Sequence, residues 1–141
     1  MKPRITLITL GVSDVARARA FYERLGLKAS SAGNKDVAFF DANGVVLGIW
    51  SRDALAEDAG VKPPPAGQFG GTTLAWNTTS EAEADRILAH AVACGAKLAK
   101  AARKTFWGGY SGYFQDPDGH LWEVAHNPFW PFDESGRVVL P

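Results

Sequence analysis

Two ten-residue segments of this chain correspond position by position: DANGVVLGIW at residues 41–50 and DPDGHLWEVA at residues 116–125. Each begins with residues such as Asp, Asn, Pro and Gly that are typical of a tight turn, and each continues into an apolar stretch that suits a strand. A repeated pattern of this length indicates a duplicated supersecondary unit. The chain is therefore expected to fold as two similar modules.

The first module is predicted over residues 4–50. Its opening segment ITLITLGV is rich in β-branched residues and predicts a strand, and the Asp14 that follows suits the N-cap of a helix. In DVARARAFYERLGL the apolar residues recur at helical spacing, and Gly26 favours the end of that helix. Three strand candidates come next, at residues 27–31, 37–42 and 45–50.

The second module is predicted over residues 72–126 and repeats the same order. A strand precedes Ser80, which forms a capping-box pattern with Glu83, and an apolar helical stripe follows. The connector at residues 51–71 is predicted to hold one short helix, near 52–59, and a proline run that cannot pair inside a sheet. The remaining strand candidates of the second module lie near residues 97–105, 109–115 and 120–126.

The composition excludes several classes of function. Fifteen basic and fifteen acidic residues cancel, which gives no electrostatic argument for a nucleic-acid or membrane partner. No stretch is long and apolar enough to cross a bilayer, and the short apolar run near the N-terminus is interpreted as a strand and not as a signal peptide. The single cysteine, Cys94, allows no internal disulfide and suits a reducing cytoplasm.

Two stretches of the chain, LGVSDVARARAFYERLGL and GYFQDPDGHLWEVAHNP, resemble the vicinal-oxygen-chelate superfamily, which includes glyoxalase I, extradiol dioxygenases and the fosfomycin and bleomycin resistance proteins. The resemblance implies an α+β fold in which two βαβββ modules form a curved cup. Residues 1–141 then make a single compact domain, usually completed as a homodimer, with an aromatic tail at residues 127–141. One reaction is not implied, because this fold hosts several chemistries and binding roles.

The resemblance also locates the positions of the family's metal ligands, which are histidines and a glutamate on the first and last strands of each module. In this chain those positions are occupied by Leu7, Gly48, Thr73 and Glu123. Of the four, only Glu123 is a metal-binding residue type, whereas catalytic divalent ions usually need about three protein ligands. We therefore expect the family's metal site to be absent, and no other cofactor is implied.

A second arrangement of metal ligands is suggested by the three-residue spacing of His120, Glu123 and His126. On a helix this spacing would bring the three side chains onto one face. However, a turn precedes the stretch, Pro128 ends it, and its aromatic and β-branched content favours a strand. Side chains alternate along a strand, so Glu123 is predicted to point away from both histidines, which are expected at the surface or at an interface.

Glu123 is predicted to face into the cup together with Leu121 and Ala125. A carboxylate in an apolar pocket must be paired, hydrogen-bonded or shifted in its pKa. Three interpretations stay open for Glu123: a structural partner of an arginine or of a backbone or aromatic donor, a ligand-binding group, or a general base or acid.

The segment FWGGYSGYF at residues 106–114 interleaves aromatic residues with glycines, which allow a bulge or a close backbone approach. These aromatic side chains are predicted to wall a pocket for a flat or partly apolar small molecule. Trp50 and Thr9 of the first module are expected to face the same cup if they lie on the strand faces that carry Gly48 and Leu7. The predicted ligand-binding set is Glu123, Trp50, Thr9, Phe106, Trp107, Tyr110 and Tyr113.

Two other groups of side chains are interpreted as structural. His90 and Cys94 lie four apart on the second helix, but beside its buried stripe and with no third orienting group, so a catalytic dyad is not predicted. The basic run is predicted to fall on both faces of a strand, which favours a solvated edge over an anion site and leaves a phosphate-bearing ligand open as the alternative. Its members are Lys97, Lys100, Arg103 and Lys104.

Three functions fit the sequence. The preferred one is a metal-independent protein that binds a small molecule, similar to the drug-sequestering branch of the superfamily. The alternative is a metal-independent enzyme in which Glu123 acts as general base or acid, helped by Tyr110 or Tyr113. The third is a metal-dependent lyase, isomerase or dioxygenase with unusual ligands. The sequence leaves open whether a reaction is catalysed, and it does not identify the ligand.

Overall fold

The computed structural model describes the whole chain, Met1–Pro141. The chain divides into two compact units, Met1–Gln68 and Phe69–Pro141. Each unit contains one sheet against which its own helices pack. The α+β class predicted from the sequence is confirmed. None of the helices combines the length and the apolar character needed to cross a membrane.

The first unit has a three-stranded sheet in the order β1-β3-β2. The central strand β3 pairs in parallel with β1 and antiparallel with β2. The parallel pair requires a crossover connection, and the helix α1 provides it. The elements are β1 (Leu7–Val12), α1 (Val15–Leu25), β2 (Val37–Asp41), β3 (Val46–Ser51) and α2 (Arg52–Ala59).

The ends and the buried face of α1 agree with the sequence prediction. The Asp14 side chain accepts a hydrogen bond from the backbone N–H of Arg17, and Gly26 ends the helix with a φ of 119°, a conformation that glycine adopts without strain. The Tyr22 ring packs against Phe40 of the sheet, with 6.0 Å between ring centroids. Both side chains are fully buried, so this contact is the centre of the first unit's core.

The strand predicted at residues 27–31 is reduced to a single bridge between Ala29 and Phe40. The chain turns directly after this bridge, because the Ser30 hydroxyl accepts a hydrogen bond from the backbone N–H of Ala32. A further turn follows, in which the Asn34 side chain accepts hydrogen bonds from two backbone N–H groups. These local side-chain bonds satisfy backbone groups that a strand would otherwise pair.

The second unit has the complete βαβββ order that the sequence predicts, in a four-stranded sheet arranged β4-β7-β6-β5. The strand β7 pairs in parallel with β4, and the other neighbours pair antiparallel. Buried Phe114 and Trp122 stack with 5.9 Å between ring centroids. The elements are β4 (Thr73–Thr78), α3 (Glu81–Ala93), β5 (Lys97–Lys104), β6 (Tyr110–Gln115) and β7 (Leu121–His126).

The capping pattern predicted at the start of α3 is confirmed. The Ser80 hydroxyl accepts a hydrogen bond from the backbone N–H of Glu83 at 3.1 Å. In return, the Glu83 carboxylate accepts hydrogen bonds from the backbone N–H of Thr79, at 2.6 Å, and from the Thr79 hydroxyl, at 2.8 Å. These bonds, the backbone one first, lower the pKa of Glu83 because they favour its charged form.

The two repeated turns have the same construction. Asp41 accepts a hydrogen bond from the backbone N–H of Asn43, and Asp116 accepts one from the backbone N–H of Asp118. In both turns the fourth residue is a glycine with positive φ, 102° at Gly44 and 88° at Gly119. The repeat seen in the sequence is therefore a repeat of local structure.

Candidate functional site

The sheet of the second unit has two different faces. The helix α3 packs on one of them, where the core side chains of Phe114 and Val124 are fully buried. Strand alternation places Tyr113 and Glu123 on the other face, and the two residues are direct partners in the β6–β7 pair. Ala75 of β4 is the partner of Glu123 on its other side. Glu123 therefore lies between a tyrosine and a small side chain.

The two histidines near Glu123 are not directed towards it. Since β7 is a strand, Glu123 and His126 lie on opposite faces of the sheet, and the His126 ring nitrogen Nδ1 is 3.1 Å from the Thr78 carbonyl oxygen. His120 lies in the turn before the strand, where its backbone N–H donates to the Asp116 side chain. No group of three or more His, Cys, Asp or Glu residues is arranged to hold a metal ion.

The positions that the resemblance assigns to metal ligands differ between the two units in the donor atoms that they offer. In the first unit, Leu7 and Gly48 have no donor atom, and a Cβ built on Gly48 would lie 3.2 Å from the Leu7 side chain. The space beside Gly48 is bordered by the Leu7 side chain, the Thr9 hydroxyl group and the Phe39 ring. In the second unit, Thr73 is the β4 partner of Leu121 and lies two positions along the strand from the partner of Glu123.

A pocket of about 550 Å³ opens on the face of the second unit that carries Glu123. Binding sites for small molecules commonly measure about 300–1,000 Å³, so the volume suits a small organic ligand. Three basic residues of β5, Lys100, Arg103 and Lys104, form part of the lining. The rest of the lining consists of one carboxylate, three hydroxyl groups and two aromatic rings, and both rings belong to the loop between β5 and β6. These residues are Thr105, Phe106, Trp107, Ser111, Tyr113 and Glu123.

Glu123 acts electrostatically on Tyr113 inside this pocket. Burial raises the pKa of the half-buried Tyr113 phenol, and the negative charge of Glu123 raises this pKa further. Tyr113, already protonated at neutral pH with an ordinary pKa of 10.0, stays protonated to more alkaline pH because this pKa is raised. The pocket thus presents a phenolic O–H donor directly across the strand pair from a carboxylate acceptor.

The loop between β5 and β6 provides the aromatic wall. It is closed by a hydrogen bond from the Thr105 backbone N–H to the Gly109 carbonyl oxygen, at 3.0 Å. The Trp107 ring folds over Gly109 so closely that a Cβ built there would lie 1.8 Å from a ring atom. The lack of a side chain at Gly109 therefore lets the Trp107 ring pack against the backbone. Phe106 is fully exposed and stands at the rim of the pocket.

The basic residues of β5 are arranged differently from the prediction. Lys100 pairs with Tyr113 and Arg103 pairs with Ser111, so three steps along β5 match two steps along β6. The extra residue forms a β-bulge that returns Lys100 and Arg103 to one face of the sheet, where both line the pocket. The strand is an exposed edge, as predicted, but the division of its cations between both faces is wrong for these two residues.

Gly112 lies beside the bulge and has little free space around its α-carbon. A Cβ built there would be 2.8 Å from the backbone nitrogen of Ala102, from the backbone oxygen of Lys100 and from the Leu88 side chain. Since Leu88 belongs to α3, the glycine lets the bulged strand approach β6 on the helix side. Because Gly112 lies on β6 and the bulge on β5, the local sequence of β5 does not indicate this bulge.

The other predicted ligand-binding residues are not among those that line this pocket. Tyr110 is on the helix side, where its hydroxyl donates to Asp85 of α3 at 2.8 Å, and so it does not line the pocket. Thr9 and Trp50 belong to the first unit and share one face of its sheet with Gly48. Of the predicted set, the structure brings together in one pocket Glu123, Phe106, Trp107 and Tyr113.

His90 and Cys94 contact each other at the end of α3. The Cys94 sulfur lies 3.6 Å from Nε2 of the imidazole, and the cysteine is buried as the C-cap residue. Since α3 covers the opposite face of the sheet, this pair lies away from the pocket. Its position beside the buried face of the helix agrees with the structural interpretation made from the sequence.

The comparison with known families decides the identity of the fold. The family model described as the Glyoxalase/Bleomycin resistance protein/Dioxygenase superfamily matches residues 4–124. The chain belongs to this superfamily. The match includes both sheets down to Val124 and leaves the last part of β7 and the tail outside. The resemblance inferred from the sequence motifs is confirmed.

Solved structures of the superfamily cover nearly the whole chain. A glyoxalase-related enzyme from Fulvimarina pelagi is 36% identical, and the alignment covers 97% of each chain with a TM-score of 0.88. A lactoylglutathione lyase from Agrobacterium tumefaciens is 24% identical, with 93% of this chain and 98% of that chain covered and a TM-score of 0.69, which shows a shared fold alone. No curated protein is similar enough to this chain to count as a match.

Proposed function

We propose that the chain binds a small, partly apolar or aromatic molecule in the pocket around Glu123. The observation that carries this proposal is the convergence of Glu123, Tyr113 and Trp107 on one cavity of about 550 Å³. The Trp107 ring offers a flat apolar surface, and the carboxylate and the phenol offer an acceptor and a donor that orient a ligand. This combination is what a site for a small aromatic molecule requires.

We further propose that binding does not use the metal ion of the family's metalloenzymes. The support is chemical, since Leu7 and Gly48 have no donor atoms at two of the four ligand positions. Elemental analysis of protein purified without chelator tests this point. Stoichiometric zinc, nickel, manganese or iron would contradict it and would favour a metal-dependent lyase, isomerase or dioxygenase.

A metal-independent enzyme is the second candidate function, and the pairing of Tyr113 with Glu123 favours it. A carboxylate can take a proton from a bound substrate while a protonated phenol donates a hydrogen bond to it. Turnover separates this candidate from simple binding. Product formation that Glu123→Gln abolishes, with ligand affinity retained, supports catalysis, whereas an unchanged ligand supports sequestration.

The binding proposal is tested by titrating the full chain with 1-naphthol, a neutral aromatic probe, and recording amide and indole NMR signals. We expect shifts confined to Trp107, Gly109, Tyr113 and their neighbours. Trp107→Ala should remove these shifts, whereas Trp130→Ala, which changes a partly exposed tryptophan of the tail, should leave them unchanged. Shifts that persist in Trp107→Ala would contradict a site at this pocket.

Two further proposals concern the state of the protein. We infer a homodimer from the family resemblance, and light scattering on the purified chain tests it. We also infer a cytoplasmic location, which the single cysteine supports because Cys94 is buried and forms no disulfide. Fractionation of cells that produce the protein tests the location.

A further inference from the structure

The pocket has a charged wall that the proposed function leaves without a role. Lys100 and Arg103 both line it, and the register shift between them is what brings them to the same face. A regular strand would have directed residues three apart to opposite faces. The irregular backbone of β5 thus lies between the two residues, Lys100 and Arg103, that place positive charges in the pocket.

Neither of these cations is neutralised by another side chain. No acidic residue forms an ion pair with Lys100 or Arg103, whereas the neighbouring Lys104 pairs with Glu81 of α3. The only carboxylate of the pocket, Glu123, lies on β7, separated from β5 by the strand β6. The pocket therefore has a positive side at the sheet edge and a negative side towards its centre.

The neutral polar groups between these two sides are suited to an anion. Ser111 is buried beside Arg103, and Thr105 begins the loop that follows the strand, so two hydroxyl groups can donate hydrogen bonds near the cations. Tyr113 pairs with Lys100 on one side and with Glu123 on the other. Arginine binds oxyanions with two parallel hydrogen bonds, which gives such a site direction as well as charge.

We infer that the ligand of this pocket carries an oxyanion group, a carboxylate or a phosphate, which Lys100 and Arg103 bind at the edge of the sheet. This inference rests on the proposed binding function and names the class of ligand. Glu123 repels the anionic end, so the ligand directs a hydroxyl or another hydrogen-bond donor towards Glu123, while its apolar part lies against Trp107. The ligand class is a small aromatic acid or phosphate ester with a donor group.

The experiment compares three naphthalene probes of similar shape on the full chain: 1-naphthoate, 1-naphthyl phosphate and neutral 1-naphthamide. Affinities are measured by NMR titration of the Trp107 indole signal. We expect at least one anion to bind roughly tenfold more tightly than the amide, as one charge-assisted hydrogen bond would provide. The preference between carboxylate and phosphate identifies which oxyanion the site takes, and either preference supports the inference.

Matched variants locate the effect. Arg103→Gln and Lys100→Gln should each weaken the binding of the preferred anion roughly tenfold and leave the binding of the amide unchanged. The controls are Arg86→Gln, an exposed arginine of α3, and Lys97→Gln, an exposed lysine of the same strand that does not line the pocket. Added salt should weaken the binding of the anionic probe and leave the binding of the amide unchanged, because salt screens exposed charges.

The outcomes separate the two proposals. If the amide and the anions bind equally and the β5 variants change nothing, the anion inference is overturned while the binding function stands. If the anions bind but Arg86→Gln weakens them as much as Arg103→Gln, general attraction explains the binding and the inference fails. If none of the probes, including 1-naphthol, shifts the Trp107 signal, the binding function itself fails.

Discussion

Tyr113 lies directly opposite Glu123 in the antiparallel pair of β6 and β7, and the charge of the carboxylate raises the pKa of the phenol. Burial contributes the larger part of this shift. The pKa of Tyr113 therefore reports on Glu123, and this relationship can be measured without knowing the ligand. It also tests whether Glu123 is charged where the structure places it.

We predict that Glu123→Gln lowers the pKa of Tyr113 towards the ordinary tyrosine value of 10.0 without reaching it. The carboxylate charge is removed, but the burial that raises this pKa remains. The measurement is a pH titration of the tyrosine ring-carbon NMR signals, with Tyr113→Phe to assign the resonance. A pKa of Tyr113 that stays the same in Glu123→Gln would show that the two groups are not coupled.

Tyr110 provides the control within the same sheet. Its pKa is also raised, first by the hydrogen bond to Asp85 and not by Glu123. Glu123→Gln should therefore leave the Tyr110 titration in place, whereas Asp85→Asn should lower the pKa of Tyr110 alone. If the pKa values of both tyrosines changed together in either variant, the result would indicate a general loss of structure.

We predict that Gly112→Ala destabilises the chain by about 1–3 kcal/mol, as overpacking of a close contact does. The added methyl group would lie 2.8 Å from backbone atoms of Lys100 and Ala102, which cannot move without shifting the bulge. The matched control is Gly70→Ala, because a Cβ there meets nothing within 4 Å and the glycine has no positive φ. Denaturant unfolding measures both, and equal stabilities would contradict the close packing of the bulge.

We predict that Glu83→Gln reduces the acid sensitivity of the fold. The hydrogen bonds from Thr79 lower the pKa of Glu83 below its ordinary value of 4.5, so the ionised side chain stabilises the folded state fully above that value. This stabilisation is lost as the pH falls through the lowered pKa. Unfolding free energies measured from neutral to acid pH should therefore fall less steeply below about pH 4.5 in the variant than in the parent chain.

The control for this prediction is Glu57→Gln, which changes an exposed glutamate of α2. Its stability should follow the parent chain across the whole pH range. Ser80→Ala removes the other half of the cap and should cost about 1 kcal/mol at all pH values, since the serine hydroxyl does not titrate. A Glu83→Gln profile with the parent's slope would show that the cap does not depend on the carboxylate charge.

Much of the fold could be predicted from the sequence because its signals are local. Asp14 and Gly26 mark the ends of α1, Ser80 marks the start of α3, and the structure confirms these positions. Strand alternation predicts that Glu123 and His126 lie on opposite faces of the sheet, and this prediction depends only on recognising β7 as a strand. Caps, turns and parity are properties of neighbouring residues, so a single sequence contains them.

The charged wall of the pocket could not be predicted in the same way. Strand alternation divides Lys100 and Arg103 between two faces, and only the pairing of β5 with β6 shows that an extra residue is accommodated between them. Such a register shift depends on two strands and on the space beside Gly112, which a local pattern does not specify. The sequence predicts Tyr110 in the pocket, but its hydroxyl donates a hydrogen bond to Asp85 of α3 instead. This bond joins a strand to a helix, so a local sequence pattern does not reveal it.

The aromatic wall leads to the last prediction, which concerns Gly109. A Cβ there would collide with the Trp107 ring, at 1.8 Å, and its three nearest atoms all belong to that ring. Because a ring can move where a backbone cannot, Gly109→Ala should displace Trp107 from the pocket and change the stability by less than about 1 kcal/mol. Binding of an aromatic probe should weaken clearly, since the flat apolar surface is lost.

The measurement combines a 1-naphthol titration with the chemical shift of the Trp107 indole in the free protein. In Gly109→Ala we expect a new indole shift, a loss of probe affinity similar to that of Trp107→Ala, and an unfolding transition close to that of the parent chain. Gly112→Ala should instead lower the free energy of unfolding, because the close contacts of that residue include backbone atoms. If Gly109→Ala kept both the indole shift and the probe affinity, the packing of Trp107 over Gly109 would not be the feature that shapes the pocket.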